Sequence, residues 1–198
     1  MERRWAFGGV AGNEILTSLV AAVLTVLLMV EGITILRLGP LLVPHMVVGL
    51  ILIPVIGLKL GATGYRFVRY YTHAPTYREK GPPLLPLRLL APVLVAATIG
   101  VFATGIGLLV DGRKSDTLML LHKASFVVWG AAFGIHFLAY LPRVLRSLRD
   151  DWSARRRRAV GGAGIRASLV GAACGSGMLL ALALLPTIDA WQDAVVGG

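Results

Sequence analysis

The chain has 198 residues, 56% of them hydrophobic, and a mean hydropathy of +0.75, which argues against a soluble domain with a polar coat. Its net charge of +10 would suit a nucleic-acid partner, but the basic residues gather in two segments between apolar runs. That is the pattern of membrane topology signals, so no nucleic-acid partner is expected.

Five apolar runs, roughly residues 14–36, 41–60, 86–110, 118–141 and 166–187, nearly exhaust the chain. Each approaches or exceeds the roughly 20 residues that span a bilayer as a helix. Barrel strands need only about 10 residues and alternate in polarity, which these runs do not. The expected fold is an all-α integral membrane domain over residues 1–198, with five transmembrane helices and no separate soluble domain.

Span 1 follows Arg3 and Arg4, an arrangement that imitates a signal peptide. The length of the run, Glu31 near its end and the lack of a small-x-small cleavage site read instead as an uncleaved first span. Glu31 and Arg37 mark its outer end. Glu31 is expected to be a solvated helix-end carboxylate, the alternative being a proton acceptor during quinol oxidation.

Span 2 starts near Pro40 or Pro44, carries His45 in its first turns and should kink at Pro54, which lacks a backbone donor. It can run past Lys59 through GATGYRFVRYY as an amphipathic extension. Tyr65, Tyr70 and Tyr71 there are placed like an interfacial aromatic belt. GPPLLP at 81–86 is a breaker.

Span 3 bears a stripe of small residues, Ala96, Gly100, Ala103 or Thr104, and Gly107, that would let another helix or a flat macrocycle approach. Span 4 holds His122 and His136, with Gly130 and Gly134 between them. Span 5 carries GAACGSG, contains no histidine and is expected to be peripheral to any cofactor. Cys174, the single cysteine, lies there and reads as a small packing residue.

One basic cluster comprises Arg66, Arg69, Arg78, Lys80 and Arg88. The other comprises Arg143, Arg146, Arg149, Arg155 to Arg158 and Arg166. The positive-inside rule then puts the N-terminus and residues 61–85 and 142–165 in the cytoplasm, and the C-terminus outside the plasma membrane. The Arg155–Arg158 run would lie against anionic lipid.

His122 and His136 are fourteen residues apart in one apolar run. At about 100° per residue they return to within about 40° of one helix face, about 21 Å apart along the axis. Ionisable residues inside a membrane helix are functional candidates, and two stacked histidines suit axial ligands for two haems. Spans 2 and 4 should run in the same direction, so His45 and His122 are expected at similar depth, able to clamp one iron. The bland alternative is an interfacial histidine bonded to backbone or lipid.

His136 would need a partner deeper in the bundle. Fourteen residues beyond His45 stands Lys59. His73 is twenty-eight residues beyond, about 42 Å along a straight helix against a hydrocarbon core of about 30 Å, and reads as a loop histidine. A lysine binds iron only as the neutral amine, the form that burial favours. Its ordinary alternative is to snorkel to the headgroups. Haem propionates would find cationic partners in Arg37, Arg113, Lys114 and Lys123 on the outer side, and in Arg66, Arg69, Arg88 and Arg143 on the inner side.

With His45, and with LHKASFVVWGAAFGIHFLAYLPR carrying His122 and His136, the chain resembles the bacterial membrane b-type cytochromes. These include cytochrome b561 and the cytochrome b subunits of membrane-bound oxidoreductases. The resemblance covers about residues 12–141. It implies a four-helix haem-binding bundle with span 5 as a peripheral helix, and two haems b. His45 and His122 would hold the outer haem and His136 the inner one. The chain departs from the family where Lys59 replaces the fourth histidine. The resemblance also implies electron transfer across the membrane involving quinone or a redox partner subunit, and admits a homodimer. Competing readings are the membrane anchor of a larger oxidoreductase, such as a molybdenum enzyme, and a small non-haem transporter or scaffold. No hydrolase triad, P-loop or dinucleotide fingerprint is present, so catalysis by the chain alone is not read from it.

Overall fold

Runs of Leu, Val, Ile and Ala interrupted mainly by small residues have no alternating polar face, and they fold as helices. The computed structural model describes residues 9–79, 85–111, 115–151 and 160–196, with the backbone alone for 143–151 and 194–196. The elements are α1 (Gly9–Leu36), α2 (Leu38–Tyr71), α3 (Pro75–Arg78), α4 (Leu85–Asp111), α5 (Asp116–Asp151) and α6 (Ala163–Val196). All but α3 are long and apolar enough to cross a membrane, which makes this an all-α membrane fold. The crossing segment of α5 ends at Pro142 although the helix continues to Asp151.

Two compact units emerge. One comprises Met1–Pro82 and Arg143–Leu182, the other Pro83–Pro142 and Ala183–Gly198.

In the first unit α1 and α2 form a hairpin joined at Arg37. Its register is antiparallel: Thr34 and Glu31 meet His45, Thr17 meets Lys59, and Asn13 meets Ala62. Leu16, Val20 and Leu24 recur every four residues on α1 and are buried, as a seam between helices requires. Leu52 and Val55 of α2 are 2% and 1% exposed.

The break in α2 lies at Leu41 (φ −109°, ψ 19°), where dihedrals leave the helical region, rather than at Pro54. Pro40 and Pro44 flank that position. Pro44 offers no N–H to the carbonyl of Pro40, and its ring crowds the preceding turn. The helix does run past Lys59, as far as Tyr71. It ends in a Schellman arrangement: the His73 N–H donates to Tyr70 O at 3.2 Å and the Ala74 N–H to Arg69 O at 3.1 Å. His73 takes the left-handed conformation, φ 62°, that such an ending requires.

Gly177 of α6 lies against α2 in this unit. A Cβ there would stand 2.8 Å from both Cα and O of Ile51 and 3.1 Å from Cγ of Pro54. The small-residue face of α6 thus serves backbone-to-backbone packing on the helix that carries His45 and Lys59.

In the second unit α4 and α5 are also antiparallel. Gly107 faces Leu118, Gly105 faces His122, and Gly100 faces Ser125. Two of the three glycines come from the small-residue stripe, which therefore receives a neighbouring helix. Ser115 caps α5, its Oγ accepting the Leu118 N–H at 3.2 Å, and Asp116 sits in the positive first turn. Trp191 of α6, buried, donates its indole N–H to Leu108 O at 3.0 Å.

Candidate functional site

His45 sits on α2 one turn beyond the break at Leu41, half-buried on the side facing α1. Its Nδ1 is 2.9 Å from Glu31 Oε1 and 3.2 Å from Thr34 Oγ1. The Thr34 hydroxyl proton goes to Glu31 O at 2.6 Å, so that oxygen has a lone pair left for Nδ1. Both Nδ1 partners are acceptors, which makes Nδ1 the protonated nitrogen.

His122 is built the same way in the other unit. Its Nδ1 is 3.1 Å from Val101 O and 3.1 Å from Thr104 Oγ1. A carbonyl can only accept, so Nδ1 again carries the proton. The Thr104 hydroxyl proton is directed to Gly100 O at 2.6 Å. Gly105 admits the ring: a Cβ there would lie 3.2 Å from His122 Cε1.

With Nδ1 as the donor, a neutral ring presents its lone pair at Nε2, the atom through which such a ring could ligate a metal. A ligating histidine held through its other nitrogen is the arrangement that metal sites use to fix ring orientation. The donor chemistry of both residues therefore fits a haem iron. Among the described residues no group of three or more His, Cys, Asp or Glu side chains gathers to hold a bare metal ion. Haem needs no such group, because its macrocycle supplies four of the six ligands.

His136 is half-buried on α5 with its ring 4.7 Å from that of Tyr140, tilted by 34°. From between the two histidines of α5 to one residue past His136 runs a ladder of stacked rings. Phe126 and Trp129 are 6.1 Å apart, Trp129 and Phe133 4.7 Å at 7°, and Phe133 and Phe137 5.7 Å. Their three- and four-residue steps put them on one stripe of the helix.

Lys59 points to α1, where its Nζ donates to Thr17 O at 2.9 Å. The fourteen-residue interval between His45 and Lys59 is matched on α1 by Glu31 and Thr17. Arg66 stands 4.0 Å from Glu14, both half-exposed, a solvated pair worth little by itself. Arg69 lies half-buried on α2, and Arg37 is exposed at the α1–α2 turn. Lys123 is exposed beside His122, and Arg88 is exposed near the start of α4. Arg113, Lys114 and the Arg155–Arg158 run lie outside the described residues, as does the side chain of Arg143.

Two expectations are corrected. Glu31 is no solvated helix end: its side chain is 14% exposed and paired with His45. Arg166, read among the loop charges, is 1% exposed and donates to Gly161 O at 2.7 Å, just ahead of its own helix. Sequence reasoning missed Thr34 and Gly105 altogether, and placed Thr104 only as a candidate member of the small-residue stripe, not as a partner of His122. The available signal was a threonine or glycine opposite each histidine once the helices are laid antiparallel.

Comparison with protein-family models, with curated proteins and with solved structures gave no match.

Proposed function

We propose that this chain is a membrane cytochrome of the b type that carries electrons within or across the bilayer. The carrying observation is the pair of histidines, His45 and His122, each with Nδ1–H held by two acceptors and the lone pair assigned to Nε2. A bound haem would supply reversible one-electron transfer; the chain supplies its ligands and a low-dielectric surround. Thr34 fixes the ring rotation of His45, and Thr104 that of His122. Gly105 lets the His122 ring lie against the α4 backbone. Arg37 and Lys123, both exposed, are the described outer cations for the propionates.

The same reading assigns His136 to a second haem, with Lys59 as its other ligand. To reach iron, Lys59 would have to give up or share its bond to Thr17 O. The first site is therefore the better supported of the two. Quinone or a redox subunit is proposed as partner, with the N-terminus in the cytoplasm and the C-terminus outside.

The test is a reduced-minus-oxidised optical spectrum of the purified protein, with haem quantified per chain. Low-spin haem b is expected, and His45→Ala and His122→Ala should each lose one haem. Full haem content in both variants would refute the ligand assignment.

A further inference from the structure

His45 and His122 are held alike in geometry but not in charge. The Val101 carbonyl and the Thr104 hydroxyl that meet His122 Nδ1 are neutral acceptors. One of the two on His45 is the Glu31 carboxylate, at 2.9 Å. That carboxylate is 14% exposed, 3.5 Å from the Thr34 hydroxyl through its other oxygen, and faces Gly49 one turn beyond His45. A carboxylate in a membrane helix is costly without a role or a partner, and here the partner is the imidazole of a proposed ligand.

We infer that Glu31 is a positioning residue that sets the electron affinity of the haem held by His45. The inference rests on the reading of His45 as an axial ligand. A hydrogen bond from Nδ1–H to an anionic acceptor is roughly twice as strong as one to a neutral acceptor. It leaves more negative charge on the imidazole and so makes Nε2 a better donor to iron. A more electron-rich ligand stabilises the oxidised metal. The negative charge acts in the same direction, because in a low-dielectric bundle it opposes the arrival of an electron. His45 is thereby a more strongly donating imidazole than one held only by neutral acceptors, and the midpoint potential of the haem it holds is lowered accordingly.

The experiment is redox titration of the purified holoprotein beside Glu31→Gln. Glutamine keeps an acceptor oxygen for Nδ1–H and removes only the charge. A role in helix packing alone would alter thermal stability and leave the potential where it was. The expected result is a haem that stays bound and low-spin but is about tenfold easier to reduce at equilibrium, equal to about 59 mV for one electron. Thr34→Val, which removes a neutral acceptor, should shift the potential less. If Glu31→Gln does not load haem, Glu31→Asp decides. Loading by the aspartate variant, with a potential near wild type, supports the role of the charge; haem loss in both overturns it. An unchanged potential in Glu31→Gln also overturns it, while leaving haem ligation by His45 standing. A wild-type protein without haem removes the reading beneath the inference, and the inference with it.

Discussion

The hydroxyls of Thr34 and Thr104 each give their proton to a carbonyl of their own helix and turn a lone pair toward a histidine on the next. Nothing local in the sequence announces this. Thr34 precedes His45 by eleven residues and Thr104 precedes His122 by eighteen, so each pairing depends on hairpin register. The histidines themselves were legible, because an ionisable residue in an apolar run stands out. Their acceptors were not, since threonine is ordinary in a membrane helix. Glu31 was visible but misread, as its partner lies across the hairpin. Gly105 gives a direct test. Gly105→Ala would force the His122 ring to move by a few tenths of an ångström, with an overpacking cost of about 1–3 kcal/mol. Thermal unfolding should occur at lower temperature, with weaker retention of haem. Lys59 gives another. On the proposed ligation, Lys59→Ala should leave the haem proposed for His45 low-spin and turn the one proposed for His136 high-spin, or release it, and losing the bond to Thr17 O should lower the melting temperature. A spectrum matching wild type, with two low-spin haems, would remove Lys59 from the ligand set.

At the scale of elements, the apolar runs predicted every long helix but not where each one ends. The dihedrals leave the helical region not at Pro54 but at Leu41, where Pro40 and Pro44 flank one short segment and the backbone yields between them. The end of α2 fell on His73, and a left-handed histidine carries no sequence signal as plain as a glycine would. It does carry a cost. His73→Gly removes the clash of Cβ with the left-handed backbone and should stabilise the protein by roughly 1 kcal/mol, seen as a higher melting temperature. The optical spectrum should be unchanged, since His73 ends the helix and holds no haem in this account. Loss of a haem in His73→Gly would return that residue to the ligand set. The small-residue stripe of α4, read as open to a helix or a macrocycle, receives a helix, and the small residues of α6 do the same. Which neighbour each receives, α5 for Gly100 and Gly107 and α2 for Gly177, became evident only from packing.

For the whole molecule, composition alone excluded a soluble fold, and five helices able to cross a membrane followed from run length. Orientation rests on a separate argument, the gathering of Lys and Arg in two segments. Arg166 has to be withdrawn from that argument, because a buried arginine bound to Gly161 O is no solvent-side topology signal. The remaining basic residues still favour the same side. A reporter active only in the cytoplasm should stay silent when fused to the C-terminus and respond when inserted after Glu79. A strong C-terminal signal would reverse the orientation or remove one crossing.

The hairpin of α1 and α2 also bears on how the chain enters the membrane during synthesis. Taken singly, α1 carries Asn13 and Glu31, and α2 carries His45 and Lys59. A charged residue at the centre of a lone inserting helix costs about 2.5–3.5 kcal/mol. Each of these groups finds its partner on the other arm: Asn13 at Ala62 O, Glu31 at His45, and Lys59 at Thr17 O. The two arms are joined by the single residue Arg37. Neither arm is well suited to leave the translocation machinery alone, whereas the pair can pass into lipid with its polar groups already matched. On this account the unit of membrane integration is the hairpin, and α1 waits for α2.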